Sequence, residues 1–212
     1  MTPGEAAGFR SVLIAPGALL LRGWAASAEA KLLAALDAIA AIAPFRHMVT
    51  PGGFRMSVAI TSCGDLGWTS DRRGYRYAAC DPQSGQPWPA MPPAFADLAH
   101  SAARDAGYEG FCADSCLINR YEAGARMSLH QDRDERDLTQ PIVSVSLGLP
   151  GRFLFGGLNR RDAVRRIALD AGDVVVWGGS SRLAYHGIAP LARGMHPLSG
   201  AYRYNLTFRR AA

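Results

Sequence analysis

The segment Ser128-Leu129-His130-Gln131-Asp132-Arg133-Asp134 sets an imidazole and a carboxylate two residues apart. Side chains at i and i+2 share one face of a strand. Extended backbone here would point His130 and Asp132 the same way, with Asp134 following if the strand continues. A ring nitrogen and a carboxylate oxygen on one face make half of a metal site. His186 supplies a second imidazole. It follows the apolar run Val174-Val175-Val176-Trp177 and lies 54 residues beyond Asp132; a jelly roll can bring strands so distant face to face. Two histidines and one carboxylate on one side of a metal leave its other side open, as non-haem Fe(II) oxygenases require. H-x-D alone fits a surface pair beside an acidic loop equally well. His47, His100 and His196 lack a carboxylate at strand spacing.

A second pattern suits anions. Arg203, Asn205, Thr207 and Arg209 alternate with Tyr204, Leu206 and Phe208. Period two puts the polar four on one face and the apolar three on the other. Arginines facing inward are costly without an anion, and a guanidinium fork binds carboxylate in a bidentate way. A dicarboxylate with one end on the metal could use both. The competing arrangement is an edge strand with this face in solvent. Asn119 and Tyr121, also two apart, could add an amide and a phenol to the same anion.

The elements that must carry these residues follow from pattern and punctuation. Residues 12–22 read as strands broken at Pro16-Gly17. Residues 28–43 read as a helix with Ser27 as N-cap and Pro44 as stop. Residues 46–90 are rich in glycine, proline and aromatics, with a strand at 56–60. A second helix runs from Pro92-Pro93 to about Asp105 and ends at Gly107. From Ser115 onward short β-like runs follow one another: 115–121, 126–132, 141–149, 152–158, 164–169, 173–177, 182–188 and 201–209. That texture argues for a sandwich or jelly roll. The expected fold is mainly β with helices. Residues 1–212 form one integrated domain, with an N-terminal α/β extension (1–110) leading into an all-β core (111–212).

Composition narrows the class. The 212 residues are 49% apolar and 19% charged, which excludes a disordered chain, and no long uncharged apolar run suggests a membrane span. The net charge of +5 is uneven: residues 151–212 hold 10 Arg against 3 Asp, a net of +7, leaving −2 for the rest. That stretch is a candidate polyanion surface, or a solvated arginine-rich face. Cys63, Cys80, Cys112 and Cys116 form no C-x-x-C pair. They read as ordinary thiols of a reducing cytoplasm.

Taken together these residues resemble the AlkB family of bacterial alkylated-DNA repair dioxygenases. The resemblance rests on Cys116–Glu135, on Asp173–Arg182 with Tyr185-His186-Gly187, and on Arg203–Arg209. It implies a double-stranded β-helix holding Fe(II) through His130, Asp132 and His186. It implies 2-oxoglutarate bound by Asn119, Tyr121, Arg203, Asn205 and Arg209, with O2 as co-reactant. It also implies a nucleotide-recognition lid in 1–110, with Trp68, Tyr75, Arg76 and Tyr77 near the damaged base and Asp134 and Arg160 as further substrate contacts. The implied activity is oxidative demethylation of N1-methyladenine and N3-methylcytosine in DNA, single-stranded in preference to double-stranded, or in RNA, releasing formaldehyde, succinate and CO2 from a monomeric cytoplasmic enzyme. A related oxygenase acting on RNA or a protein side chain would share the iron and cosubstrate motifs, and a β-sandwich without turnover would need neither an open metal face nor a dicarboxylate clamp.

Overall fold

The computed structural model describes residues 10–212. The chain opens with a hairpin, β1 (Arg10–Ala15) and β2 (Ala18–Arg22), around Pro16-Gly17. Gly17 has φ +77°, and a Cβ there would lie 2.5 Å from the Gly178 carbonyl oxygen. Conformation and space both demand glycine. Helix α1 (Glu29–Ile42) buries Leu32, Leu33, Leu36 and Ile39 along one stripe. Helix α2 (Pro93–Asp105) starts on proline and buries Phe95, Leu98, Ala99, Ala102 and Ala103. It ends in a Schellman turn: Tyr108 N–H donates to Ala103, Gly107 N–H to Arg104, and Gly107 takes φ +89°.

The remaining strands are β3 (Ala59–Gly64), β4 (Gly67–Asp71), β5 (Gly74–Ala78), β6 (Ser115–Tyr121), β7 (Met127–His130), β8 (Ile142–Gly148), β9 (Gly151–Phe155), β10 (Arg165–Leu169), β11 (Val174–Trp177), β12 (His186–Ile188) and β13 (Arg203–Arg209). A large antiparallel sheet has the order β1-β2-β11-β8-β13-β6-β3, and a small one the order β10-β9-β12-β7. They make the jelly roll. One apolar layer (Leu36, Phe95, Ile118, Val145, Leu206, Phe208) joins the helices to the large sheet. The other (Leu20, Ile60, Phe153, Phe155, Trp177, Ile188) fills the space between sheets. Strands β1, β2 and β3, from the first 110 residues, form the two flanks of the large sheet, while β4 and β5 make a separate hairpin.

Several local expectations shift. The strand expected at 56–60 begins at Ala59 and runs to Gly64. Ser27 does not cap α1: it lies in a short 3-10 turn (Ala26–Ala28), and the N-cap position is Ala28, with no side-chain cap. The strand expected over 126–132 stops at His130, because the next polar groups are bound by side chains. Gln131 donates to Leu183 O and Arg182 to Asp132 O. The strand expected over 182–188 is confined to His186–Ile188, since Arg182 sits in the turn that reaches Asp132.

Candidate active site

His130 and His186 are register partners on the antiparallel neighbours β7 and β12. The two strands lie edge to edge in one sheet, not face to face across the roll. Their rings stand 4.4 Å apart between centroids. His130 Nδ1 lies 2.8 Å from Ser128 O, and His186 Nδ1 3.0 Å from Ala184 O. Donation from each Nδ1 fixes the tautomer and leaves Nε2 as the free lone pair. Both Nε2 atoms face Asp132: His130 is 3.6 Å from Oδ1, and His186 is 3.6 Å from Oδ2. Asp132 arrives from just past the end of β7. One ligand atom from each of the three lies within 4.8 Å of the others, a group able to hold a metal ion.

The electrostatics favour a neutral His130 and an ionised Asp132. Partial enclosure of the ring, followed by the neighbouring His186 and Arg209 charges, holds the His130 pKa below the usual imidazole value. Burial opposes ionisation of Asp132, yet Arg209 and then His186 hold its carboxyl well below the usual range. Arg209 Nη2 and Nε donate to Asp132 Oδ2 at 2.6 and 3.0 Å.

Strand β13 is central, between β8 and β6, and all seven of its residues are buried. The edge-strand alternative therefore does not apply. Arg203, Asn205, Thr207 and Arg209 line a cavity with Asn119, Tyr121, Phe153 and the two site histidines. Arg203 is 0% exposed. Its Nη2 donates to Ser146 Oγ at 2.9 Å, but Nε and Nη1 have no partner among the described residues. Asn119 Oδ1 is likewise unpartnered. Tyr121 lies under the guanidinium, 5.1 Å from ring centroid to Cζ, and burial pushes its pKa to about 12. Burial also lowers the pKa of Arg203. A buried cation with two idle N–H groups is chemically suited to pair with a carboxylate. Asn205 is satisfied within the sheet, by Ser144, Val145 and Thr207.

A wide cleft opens over His130 and Asp132, walled by Trp68, Tyr75, Asp134 and Arg160. Trp68 and Tyr75 stack at 5.5 Å and 15°. Trp68 Nε1 donates to Asp134 Oδ2 at 2.9 Å. Arg160 donates to Leu129 O at 2.7 Å and lies over the Tyr185 ring. Arg76 is not in this cleft. It occupies the other face of the hairpin from Tyr75 and Tyr77, in a two-pronged pair with Asp71. Tyr77 turns toward Glu135, donating to Oε1 at 2.6 Å.

Residues 17–209 match the family model of the 2OG-Fe(II) oxygenase superfamily. The alpha-ketoglutarate-dependent dioxygenase AlkB of Salmonella typhimurium is 59% identical over 199 residues, covering 94% of this chain and 92% of that protein. The chain belongs to the AlkB family of 2-oxoglutarate–Fe(II) oxygenases. Its Escherichia coli relative is also 59% identical, over 93% of this chain and 92% of the relative. A solved OsALKBH1 structure superposes with a TM-score of 0.84 at 25% identity, covering 95% of this chain and all of that one. As an AlkB-family member, the protein is an Fe(II)- and 2-oxoglutarate-dependent dioxygenase, consuming O2.

This AlkB-family site also uses residues that sequence patterns did not single out. Glu135 is buried, and its Oε2 accepts from Arg182 Nη2 at 3.0 Å. Its Oε1 lies 3.3 Å from Arg209 Nε. Arg182, 3% exposed, donates to Asp132 O at 2.7 Å and Gln140 O at 2.8 Å. Trp177 packs edge-on against His186 at 4.9 Å. The only sequence signal for Glu135 was its place in Asp132-Arg133-Asp134-Glu135, and nothing there pairs it with an arginine 47 residues away.

Proposed function

We propose that this dioxygenase repairs alkylated nucleic acid by oxidative demethylation, removing methyl groups from N1 of adenine and N3 of cytosine in DNA. The observation that carries this reading is a cleft that sets a stacked aromatic pair and a carboxylate over His130 and Asp132 of the metal-capable cluster. Alkylation at these ring nitrogens makes the base cationic and blocks pairing. An unpaired base is cheaper to flip from the stack. Trp68 and Tyr75 offer it flat faces, and Asp134 favours the cation over the neutral product. Reported activities of relatives agree in class: an Arabidopsis thaliana relative is a DNA N(6)-methyladenine demethylase and a mouse relative a nucleic acid dioxygenase.

In this mechanism His130, Asp132 and His186 hold Fe(II) through Nε2, a carboxylate oxygen and Nε2. Arg203, with Asn119, Tyr121 and Asn205 around it, holds the far carboxylate of 2-oxoglutarate. The Cα atoms of Arg203 and Arg209 are six residues apart on one strand, about 20 Å. Arg203 therefore grips the distal end and Arg209, beside Asp132, serves the metal end. Bound Fe(II), with 2-oxoglutarate and O2, supplies the oxidising power that hydroxylates the N-methyl carbon. The hydroxymethyl adduct loses formaldehyde to leave the repaired base, with succinate and CO2 as coproducts. Phe153 and Trp177 keep water from the inner side of the site. A monomer working in the cytoplasm belongs to the same proposal; for the compartment, the four cysteines outside disulfides agree with it.

The test is an aerobic assay with Fe(II), 2-oxoglutarate and methylated single- and double-stranded DNA and RNA oligonucleotides, read by mass spectrometry. Loss of 14 Da per methylated base, matched by formaldehyde, is expected on at least one DNA; turnover confined to RNA, or absent from every oligonucleotide, overturns the reading. Trp68→Ala should raise the Kd for single-stranded substrate about 5- to 150-fold, the range set by roughly 1–3 kcal/mol of base stacking. Binding should also weaken steeply between low and moderate salt, because arginines along 151–212 meet phosphates. Fluorescence anisotropy of a labelled oligonucleotide measures both effects.

A further inference from the structure

The β4–β5 hairpin is tied to the core through two consecutive residues, Asp134 and Glu135. Trp68 on β4 donates to Asp134, and its cross-strand partner Tyr77 on β5 donates to Glu135 at 2.6 Å. The second tie differs from the first in what lies behind it. Glu135 is a buried carboxylate held by both Arg182 and Arg209. Each of those arginines also holds Asp132, Arg182 by its carbonyl and Arg209 by its carboxylate. The phenol of Tyr77 is thus three polar contacts from Asp132, with Glu135 and one arginine between them, by two separate routes. Burial keeps that phenol protonated, as a donor, far above neutral pH. Such a network has few alternative arrangements, because each missing bond leaves a buried charge or polar group unsatisfied.

We propose that Tyr77 and Glu135 are positioning residues that couple seating of the substrate under the hairpin to the geometry of Asp132 at the metal. The inference rests on the proposed nucleic-acid reading, since the coupling is between oligonucleotide and metal. A base stacked under the hairpin holds Tyr77 in the contact it already makes with Glu135. Glu135 then fixes the two arginines, and they fix Asp132. Movement of the hairpin away from Glu135 releases one oxygen of that carboxylate and loosens Arg209. Linkage makes this reciprocal: oligonucleotide must tighten metal by the same factor as metal tightens oligonucleotide.

The test uses Co(II) as the probe with the full-length protein, without turnover. Its Kd is measured by intrinsic tryptophan fluorescence, with and without a saturating methylated single-stranded oligonucleotide. The wild type is expected to bind Co(II) at least about fivefold tighter in the presence of oligonucleotide, within the usual range of site-to-site coupling. In Tyr77→Phe, which keeps the ring and removes only the hydroxyl, that ratio should fall toward one. Glu135→Gln, which keeps the shape and removes the charge, should lower it too. A merely structural role would weaken both affinities and leave the ratio intact. The same variants, given Fe(II) and 2-oxoglutarate, should produce more succinate per formaldehyde than the wild type. A Tyr77→Phe ratio equal to the wild type's overturns the coupling. Tight, coupled binding in a wild type that never demethylates overturns the functional reading alone and leaves the coupling standing.

Discussion

Arg203→Met should leave the protein folded, and at least as stable without ligand, while raising the 2-oxoglutarate requirement roughly 30- to 3,000-fold. The factor converts the ~2–5 kcal/mol lost when one partner of a buried charged pair is truncated. The two halves of this expectation come from one fact. In the ligand-free protein the guanidinium is fully buried with two idle nitrogens and one hydrogen bond, so its charge is a cost that an apolar side chain of similar length avoids. In the 2-oxoglutarate binding proposed above, the same charge is the main partner of a carboxylate. Thermal unfolding without ligand, and succinate formation against 2-oxoglutarate concentration, measure the two sides. Equal 2-oxoglutarate affinity in wild type and Arg203→Met would remove Arg203 from the clamp. A lowered Tm without ligand would mean that the charge is compensated in the empty cavity. Gly151→Ala offers a milder version of the same test. A Cβ at 151 would lie 2.6 Å from Arg203 Nε and 2.9 Å from its Cδ, so the side chain must shift from its seat and the 2-oxoglutarate affinity should fall while the metal ligands stay in place.

The two patterns that sequence alone exposed are those that local periodicity writes into the chain. Strand β13 alternates polar and apolar residues, and its two faces meet different layers: Leu206 and Phe208 the helices, Arg203 and Asn205 the cavity. Its burial on both faces could not be read from alternation, because arginine facing inward looks like arginine facing water until the neighbouring strands are known. His130 and Asp132 were legible as a pair for a reason that proved only half apt. They were expected to share a strand face, but β7 ends at His130 and Asp132 is placed instead by Arg182 and Arg209. The pairing of His130 with His186 is a register fact between strands 56 residues apart, to which spacing gives no access. Strands β4 and β5 escaped notice because Gly67–Ala78 mixes glycine, arginine and hydroxyl residues without an apolar stripe; what folds that hairpin is its pairing and its anchors on Asp134 and Glu135. Glu135 itself was invisible, since a carboxylate in an acidic run ordinarily faces solvent, and only tertiary structure brings Arg182, Arg209 and Tyr77 to it.

Asp132→Ala and His130→Ala should abolish turnover alike, each to below about a thousandth, roughly 4 kcal/mol of lost transition-state stabilisation, yet differ sharply in the stability of the metal-free protein. His130 is 38% exposed and makes one side-chain hydrogen bond, so its removal should cost within about 1 kcal/mol. Asp132 is the main counter-charge of Arg209, which is buried and keeps only a longer contact to Glu135. Removing one member of a buried pair strands the other, at a cost of roughly 3–5 kcal/mol. The pH dependence follows from the sign of the shift. Asp132 has a folded-state pKa well below its ordinary value, so its contribution is complete above the unfolded pKa of about 3.9 and is lost as pH falls through the folded value. The deficit of Asp132→Ala against wild type is therefore constant at neutral pH and shrinks only in strong acid. Denaturant unfolding in EDTA at pH 7 gives the comparison. The double variant Asp132→Ala/Arg209→Met should recover most of the lost stability and none of the turnover, because the stranded charge is gone while the metal ligand is still missing. Recovery of neither would mean that Asp132 supports the fold by a route other than Arg209, and equal stability of the two single variants would show that Glu135 alone suffices to hold that buried arginine.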